Sequence, residues 1–426
     1  FYRGGIGIYG DYLWKLKDQI DQQWMDGYRM HGLPTMEQME AEKIRKKEKG
    51  EEEEVLSVVE SLGIDASDLI EKAKMRCGGC GSKVGAQILT RALNRVKSLY
   101  TKAGGDIGEN LINTDDAAVV APPESPRLLL QTIDYFRSFI SDPYVTGKIA
   151  AIHSLSDIHA MNGRPESAMA LCILPFGVEQ KTEDTLTELL AGCSSALRAE
   201  GCSLVGGHTS EGTELAIGLS CTGSVHAQEI LRKGPPKVGQ VIVLTQAIGT
   251  GVILAADMRA KAKGRWVQAA IKGMLQSNGQ AAKLIYHYGG TEGKKEVCCT
   301  DVTGFGLLGH LLEMLKYGQD EENSVERVNG GEKGVTAELF LNQIPFFPGA
   351  KDCVKNGISS SLQPQNARSA RAVSVGNLEK GSDLEASYTL LFDPQTSGGL
   401  LATVDEKKAN ELIIALKESG YIDSRI

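Results

Sequence analysis

The fold class is decided by the stretch LLLQTIDYFRSFISDPYVTGKIAAIHSLSDIHAM, residues 128–161. Its first nine residues predict a strand. Asp142 followed by Pro143 then marks the start of a helix, since Asp caps a first turn and proline fits the first helical position. Further strands are predicted at 203–207, 215–225, 240–248 and on both sides of the loop in YTLLFDPQTSGGLLATV (388–404), with helices near 251–262 and 266–285. Strands that alternate with helices predict an α/β (α+β) protein.

The composition permits an enzyme of ordinary soluble type with two cores. The chain has 426 residues, of which 42% are hydrophobic, and this exceeds a single typical core. Its formal charge of -8 argues against a nucleic-acid-binding surface, and no apolar run reaches the roughly 20 residues that cross a bilayer. Nine cysteines at irregular spacings favour the cytoplasm or another reducing compartment over a disulfide framework. Because Phe1 rather than methionine comes first, we expect a fragment of a longer protein.

Four segments are predicted along the chain. Residues 1–36 contain an amphipathic helix whose apolar face needs a partner surface, and residues 37–75 form a charged linker with short helices. Two domains follow, at 76–228 and 229–426. The boundary between them is placed in the polar stretch HAQEILRKGPPKVG, residues 226–239.

A glycine-rich loop with the sequence RCGGCGSK, residues 76–83, carries the first candidate site. Its glycines permit a hinge, and the ammonium of Lys83 favours the nucleophilic thiolate form of Cys80. A CxxC metal or redox pair is the alternative. Zinc would need two further ligands, and neither a second CxxC nor an HxxxH follows. A disulfide between Cys77 and Cys80 stays open.

Aspartates at the edges of elements form the second candidate site: Asp115, Asp116, Asp134, Asp157 and Asp301. Mg²⁺ prefers carboxylate and phosphate oxygens, so converging aspartates suggest a site for a metal-bound polyphosphate. Each aspartate alone is more often a cap or turn residue. Asp157 raises the expectation, because it falls on an otherwise apolar helix face where an unpaired carboxylate is costly.

Glycines could supply the other half of a phosphate site. Gly206 and Gly207 stand at the end of the predicted strand 203–207, where successive turn amides could bind anions, and His208 after them either contacts the nucleotide or packs. The segment GFGLLG, residues 304–309, matches a dinucleotide fingerprint only by letter, because a polar loop stands where the next strand should follow. A P-loop sequence is absent.

Seven motifs in one order resemble the selenophosphate synthetase family: GGCGSK, DDAAV, TIDYF with its DPY helix, LSDIHAMNGRP, LVGGHT, TDVTGFGLLGH and DPQTSGGLL. The resemblance implies synthesis of selenophosphate, phosphate and AMP from ATP, selenide and water, with Mg²⁺ and K⁺. Selenophosphate would then be the selenium donor for selenocysteine or selenouridine. It also implies a fold like that of aminoimidazole ribonucleotide synthetase (PurM-like), in which two α/β domains pair and a homodimer builds a central β-barrel.

The resemblance assigns roles to residues by motif. Cys80 and Lys83 match the catalytic pair, and 76–228 becomes the ATP-binding domain. The metal-binding positions are Asp116, Asp157 and Asp301; the nucleotide-binding positions are Lys83, Thr114, Asp115, Asp134, Asp157, Gly206, Gly207 and His208. Three positions depart from the family pattern, namely Ser82, His153 and Asn162. The His153 change puts the details of metal or phosphate binding nearby in doubt.

The segment WKLKDQIDQQWM, residues 14–25, resembles the C-terminal tail of a flavin-dependent NADH dehydrogenase-like module that some members carry fused upstream. The alternative is an ordinary amphipathic helix that docks on the synthetase. Two rival functions share the rest of the pattern: another ATP-using enzyme of the superfamily, and a silent regulatory scaffold. The GGCGSK loop argues against both.

Overall fold

The computed structural model describes residues 2–3, 6–7, 118–120, 126–175, 179–289, 296–317 and 335–426. The chain divides into two compact units, Phe1–Ala73 and Lys74–Ile426. In the first unit the described part is an antiparallel pair of short strands, β1 (Tyr2–Arg3) and β2 (Ile6–Gly7). The predicted amphipathic helix, the charged linker and the cysteine loop lie outside the described residues, and the upstream module stays a prediction.

A five-stranded mixed sheet forms the first part of the second unit. Its order is β3-β4-β7-β5-β6, and β5 and β6 are parallel while the other neighbours are antiparallel. Two helices, α1 and α2, pack on one face of this sheet and share its apolar core. The elements are β3 (Ala118–Val120), β4 (Arg127–Arg137), α1 (Pro143–Ala160), β5 (Arg164–Pro175), α2 (Glu179–Ala199), β6 (Ser203–Gly212) and β7 (Ala216–His226).

Helix α1 begins where the sequence predicts. The backbone N–H of Val145 donates to Asp142 Oδ1 at 3.0 Å, which satisfies one of the free amides of the first turn. Residues on all sides of the helix are buried, because one side packs on the sheet and α2 and another packs on the second half of the unit. A helix that is buried all round can carry a polar side chain only where a partner is provided.

Glycines set the close approach of α1 to α2. A Cβ at Gly147 would lie 2.0 Å from the carbonyl oxygen of Leu189, and one at Gly192 would lie 1.9 Å from that of Tyr144. Backbone atoms therefore occupy the space that any other side chain would need. This contact fixes how closely α1 lies against α2.

Replacing Gly147 by alanine is expected to lower the free energy of unfolding by about 1–3 kcal/mol, the usual cost of overpacking a core. Denaturant unfolding at neutral pH measures the change. Gly264→Ala is the matched control, since a Cβ at Gly264 meets no atom within 4 Å. Equal stability of the two variants would contradict this account of the interface.

The second half of the unit is built on a three-stranded antiparallel sheet with the order β8-β10-β9. Helices on its two faces bury separate apolar clusters. The elements are β8 (Gln240–Leu244), α3 (Thr250–Met258), α4 (Gly264–Met274), α5 (Gly279–Tyr288), β9 (Cys298–Asp301), α6 (Gly306–Lys316), α7 (Ala350–Lys355), α8 (Gln363–Asn366), a 3₁₀ turn (Ala367–Ala372), α9 (Asp383–Leu390), β10 (Leu400–Asp405) and α10 (Glu406–Glu418).

Two of the predicted elements in this half are wrong. The helix predicted over 266–285 is two helices, because the chain turns between Met274 and Gly279. The strand predicted in YTLLF is the end of α9 and the turn after it. Ser382 caps this helix by accepting from the N–H of Glu385 at 3.1 Å, and a short apolar run does not distinguish a buried helix end from a strand.

The predicted boundary at residues 228 and 229 falls between β7 and β8, and it stays a prediction. Within the described residues, no helix is both long enough and apolar enough to span a membrane. The strand β9 is antiparallel to β10, the next strand among the described residues, so these two strands do not form a βαβ unit around Gly304–Gly309. Residues 318–334, which contain the predicted polar loop, lie outside the described residues, so the rejection of the dinucleotide fingerprint stays a prediction.

Candidate functional site

Asp134 and Asp157 lie on the helix-covered side of the large sheet. Asp157, half-buried in α1, accepts from Thr132 Oγ1 at 2.5 Å, and Asp134 is two residues further along β4 on the same face. Burial raises the pKa of the nearby Cys221 thiol, and both carboxylates add to that shift. The two predicted residues therefore add negative charge to the same part of the helix-covered face of the sheet, around Cys221.

Asp301 ends β9, the strand on which α1 packs. Its side chain is 2% exposed, and its Oδ2 has no hydrogen-bond partner among the described residues. A buried carboxylate oxygen without a donor is costly unless a cation or a proton compensates it. This arrangement fits the predicted role as a ligand of Mg²⁺, a hard cation that prefers oxygen.

The set of predicted metal ligands is not complete in the described ranges. Within them, no three His, Cys, Asp or Glu side chains come together in a group that could hold a metal ion. The third predicted ligand, Asp116, lies outside the described residues, as do Cys80, Lys83, Thr114 and Asp115. Their roles stay predictions.

The predicted glycine turn is wrong as local structure. Gly206, Gly207 and His208 lie inside β6, on its exposed part. A Cβ at Gly207 would come within 1.9 Å of the carbonyl oxygen of Ala170, its partner in β5, so the close strand pairing explains this glycine. Contact of these residues with nucleotide stays a prediction.

His153 has a contact that was not predicted. Its Nδ1 accepts from the backbone N–H of Ser397 at 2.8 Å, and its ring packs edge-on against Phe136 with centroids 4.6 Å apart. Ser397 in turn donates from Oγ to the carbonyl oxygen of Met274 at 2.7 Å. His153 thus joins α1 to the 393–399 loop.

The same loop caps α3. Gln395 Oε1 accepts from the N–H of Gly249 at 2.8 Å and from that of Thr250 at 3.0 Å, while Asp393 Oδ2 accepts from the N–H of Val252 at 3.1 Å. Side-chain oxygens brought from about 145 residues away therefore satisfy the free amides of this helix. Sequence reasoning recognised DPQTSGGLL only by resemblance, since local patterns do not reveal a cap supplied from so far along the chain.

Asp393→Asn is expected to flatten the pH dependence of stability. Burial raises the pKa of Asp393 from 3.8 to about 7, against the opposing hydrogen bond from Val252. A raised folded-state pKa contributes stability that is present below the unfolded pKa and is lost as the pH rises through the folded value. At about 1.4 kcal/mol per pKa unit, the loss is on the order of 4 kcal/mol.

Urea denaturation at several pH values from about 4 to 8 measures this slope. The slope should be smaller in Asp393→Asn than in the wild type. Parallel curves for wild type and Asp393→Asn would contradict the assignment.

The thiols in the described ranges are poor nucleophiles. All seven of these cysteines are buried and free of disulfide bonds. Burial raises the pKa of Cys172 and Cys202 to about 11 and that of Cys193 to about 12. Thiolate chemistry near neutral pH is therefore not expected from these three.

Comparison with known proteins identifies the family. Residues 114–225 match the family described as AIR synthase related protein, N-terminal domain. A selenide, water dikinase of Clostridioides difficile (strain 630) is 33% identical over 354 residues, which cover 82% of this chain and 92% of that protein. The chain belongs to the selenide, water dikinase family. A second such dikinase, from Pelobacter propionicus, is 34% identical over 345 residues, with 80% and 90% coverage.

A solved structure of another protein has a fold similar to that of this dikinase family member. A chain of the crystal structure of the HypE–HypF complex superposes with a TM-score of 0.52 at 16% identity, covering 78% of this chain and 91% of that one. At this identity the likeness concerns the fold alone. Together with the family match, it confirms the predicted mixed α/β, aminoimidazole ribonucleotide synthetase-like fold.

An apolar cavity of about 500 Å³ lies away from the aspartates of this selenide, water dikinase family member. It opens over the face of the three-stranded sheet that α6 covers, between α6 and the segment 335–345. None of the predicted site residues that lie in the described ranges lines it. The candidate site is therefore a set of polar residues around α1 and β9 rather than this cavity.

Proposed function

We propose that this chain synthesises selenophosphate from ATP, selenide and water and releases AMP and phosphate. Two phosphoanhydride bonds of ATP are broken, so one phosphoryl group passes to selenide and the other to water. The observation that carries the proposal is the 33% identity to a selenide, water dikinase over 82% of the chain. The ordered motifs, with Cys80 and Lys83 in GGCGSK, support the same reaction.

Each site residue has a proposed task. Cys80 is the proposed catalytic thiol beside selenide, which is itself the nucleophile that takes up the phosphoryl group, and the ammonium of Lys83 favours the thiolate and compensates phosphate charge. Asp116, Asp157 and Asp301 hold Mg²⁺, which compensates the phosphate charge, and K⁺ is a further proposed cofactor. Thr114, Asp115, Asp134 and the Gly206–Gly207–His208 segment bind the nucleotide. The buried, unpaired oxygen of Asp301 is the geometric support for this part.

Phosphorus NMR of the chain with ATP, Mg²⁺ and selenide tests the proposal. A resonance with phosphorus–selenium coupling, together with AMP, is the expected result. Formation of ADP would instead select a simple kinase of the same superfamily. No turnover of ATP, with or without selenide, would select the regulatory scaffold.

We also propose a homodimer through the outer face of the five-stranded sheet. This face carries exposed apolar side chains on three strands: Ile133, Tyr135, Met169, Leu171 and Val205. Among the described residues no element covers it, and apolar side chains such as Ile133, which is 74% exposed, favour burial against a second copy. Pairing of two such faces fits the central β-barrel implied by the family.

Ile133→Glu combined with Met169→Glu is expected to give a monomer, because two buried carboxylates without partners oppose association. Light scattering after size exclusion measures the mass. Val238→Glu is the control, since Val238 is 88% exposed but lies elsewhere. A dimer mass retained in the double variant would rule out this face.

A further inference from the structure

The turn that follows Asp301 is held by a histidine on the next helix. The backbone N–H of Thr303 donates to His310 Nε2 at 3.1 Å, and the carbonyl oxygen of Thr303 accepts from the N–H of Gln395 at 2.9 Å. Val302 donates to the carbonyl oxygen of Gly399 at 2.9 Å. The backbone after Asp301 is thus fixed on both sides, and His310 is one of the side chains that hold it, since Asn366 Nδ2 also donates to the carbonyl oxygen of Gly304 at 2.9 Å.

The acceptor role of His310 Nε2 defines the tautomer of its neutral ring. A ring nitrogen that accepts from an amide carries no proton, so the proton of the neutral ring is on Nδ1. Nδ1 lies 3.3 Å from Glu313 Oε2, one helical turn further along α6. The same carboxylate oxygen lies 3.1 Å from Nζ of Lys233, which is 5% exposed.

The charges in this chain of contacts support that tautomer. Burial alone would raise the pKa of Glu313, but the ammonium of Lys233 is the largest of the contacts that lower it to about 2. Glu313 therefore stays ionised and attracts the Nδ1 proton, which leaves Nε2 free to accept. Lys233 belongs to the connection between β7 and β8, so the contacts also tie that connection to α6.

Asp301 depends on this support because its own oxygen Oδ2 has no partner in the described ranges. Its direction is set by the backbone of β9 and the following turn. We infer that His310 is a positioning residue, which holds the turn after Asp301 so that this carboxylate is oriented toward the metal. The inference rests on the proposed function, in which Asp301 is a metal ligand.

The test is a Mn²⁺ titration of the full chain with a nonhydrolysable ATP analogue and without selenide, followed by electron paramagnetic resonance of free Mn²⁺. His310→Ala should weaken Mn²⁺ binding about 10- to 100-fold, the range typical of partners that orient a ligand. His310→Gln should restore most of it, because the amide oxygen can accept from Thr303. His287→Ala, at an exposed histidine of α5, is the control and should bind as wild type does.

Other outcomes overturn the inference. If His310→Ala lowers only the melting temperature and leaves Mn²⁺ affinity unchanged, the role is structural; if His310→Gln is as weak as alanine, the acceptor is not the cause. Should His310→Ala fail to fold, Glu313→Gln decides the matter. We expect its Mn²⁺ affinity to fall several-fold, and an unchanged Mn²⁺ affinity would contradict the inference. Unchanged Mn²⁺ affinity in Asp301→Asn would instead remove Asp301 from the proposed metal site, which is a separate failure.

Discussion

Cys80→Ser is expected to abolish selenophosphate formation, by about 10³-fold or more, while ATP affinity stays near that of the wild type. The reason is the proposed division of labour, in which the thiol assists at selenide and the aspartates hold the nucleotide. Phosphorus NMR measures the product, and isothermal titration measures ATP binding.

Cys77→Ser is the matched control for this variant, since it changes the neighbouring cysteine of the same loop. It should keep its activity. A comparable loss in Cys77→Ser would indicate a relay or a disulfide between the two cysteines. Selenophosphate made by Cys80→Ser at the wild-type rate would contradict the assignment of Cys80 as the catalytic thiol.

Asp301→Asn is expected to weaken Mg²⁺-dependent ATP binding by roughly 10- to 100-fold. This corresponds to the ~1.5–3 kcal/mol that contacts to charged groups contribute. Asp157→Asn should act in the same direction, because each change removes one anionic oxygen that compensates Mg²⁺. Folding should survive, since asparagine has nearly the shape of aspartate. Titration calorimetry with and without Mg²⁺ measures the effect.

Asp142→Asn provides the control for the aspartate variants. Asp142 caps α1, and asparagine caps a helix about as well, so neither ATP affinity nor stability should change. If ATP affinity is the same in wild type, Asp157→Asn and Asp301→Asn, the two residues are structural polar groups rather than ligands.

The sequence predicted correctly those elements that are determined by residues near one another in the chain. The cap and proline at Asp142 and Pro143 define the start of α1, and alternating apolar residues define β4 and β7. The strand predicted in YTLLF is wrong because a buried apolar run of five residues fits either structure. The turn predicted at Gly206 and Gly207 is wrong because the close approach of the neighbouring strand β5, rather than a bend in the chain, requires a glycine at Gly207.

The candidate site could be predicted residue by residue but not as an arrangement. The sequence suggested Asp157 from its place on an apolar helix face, and Asp157 is half-buried and bonded to Thr132. The links of His153 to Ser397 and of His310 to Thr303 and Glu313 were not predicted. Such links depend on tertiary packing, which helical or strand periodicity does not encode.

The double packing of α1 has a consequence for the order of synthesis on the ribosome. His153 and Ser397 are 244 residues apart, so one side of α1 meets its partners long after the sheet side is made. At a synthesis rate of about 5–20 residues per second, that side of α1 stays without the Ser397 contact for roughly 10 to 50 seconds. During this interval the nascent chain exposes an apolar helix surface of the kind that chaperones bind.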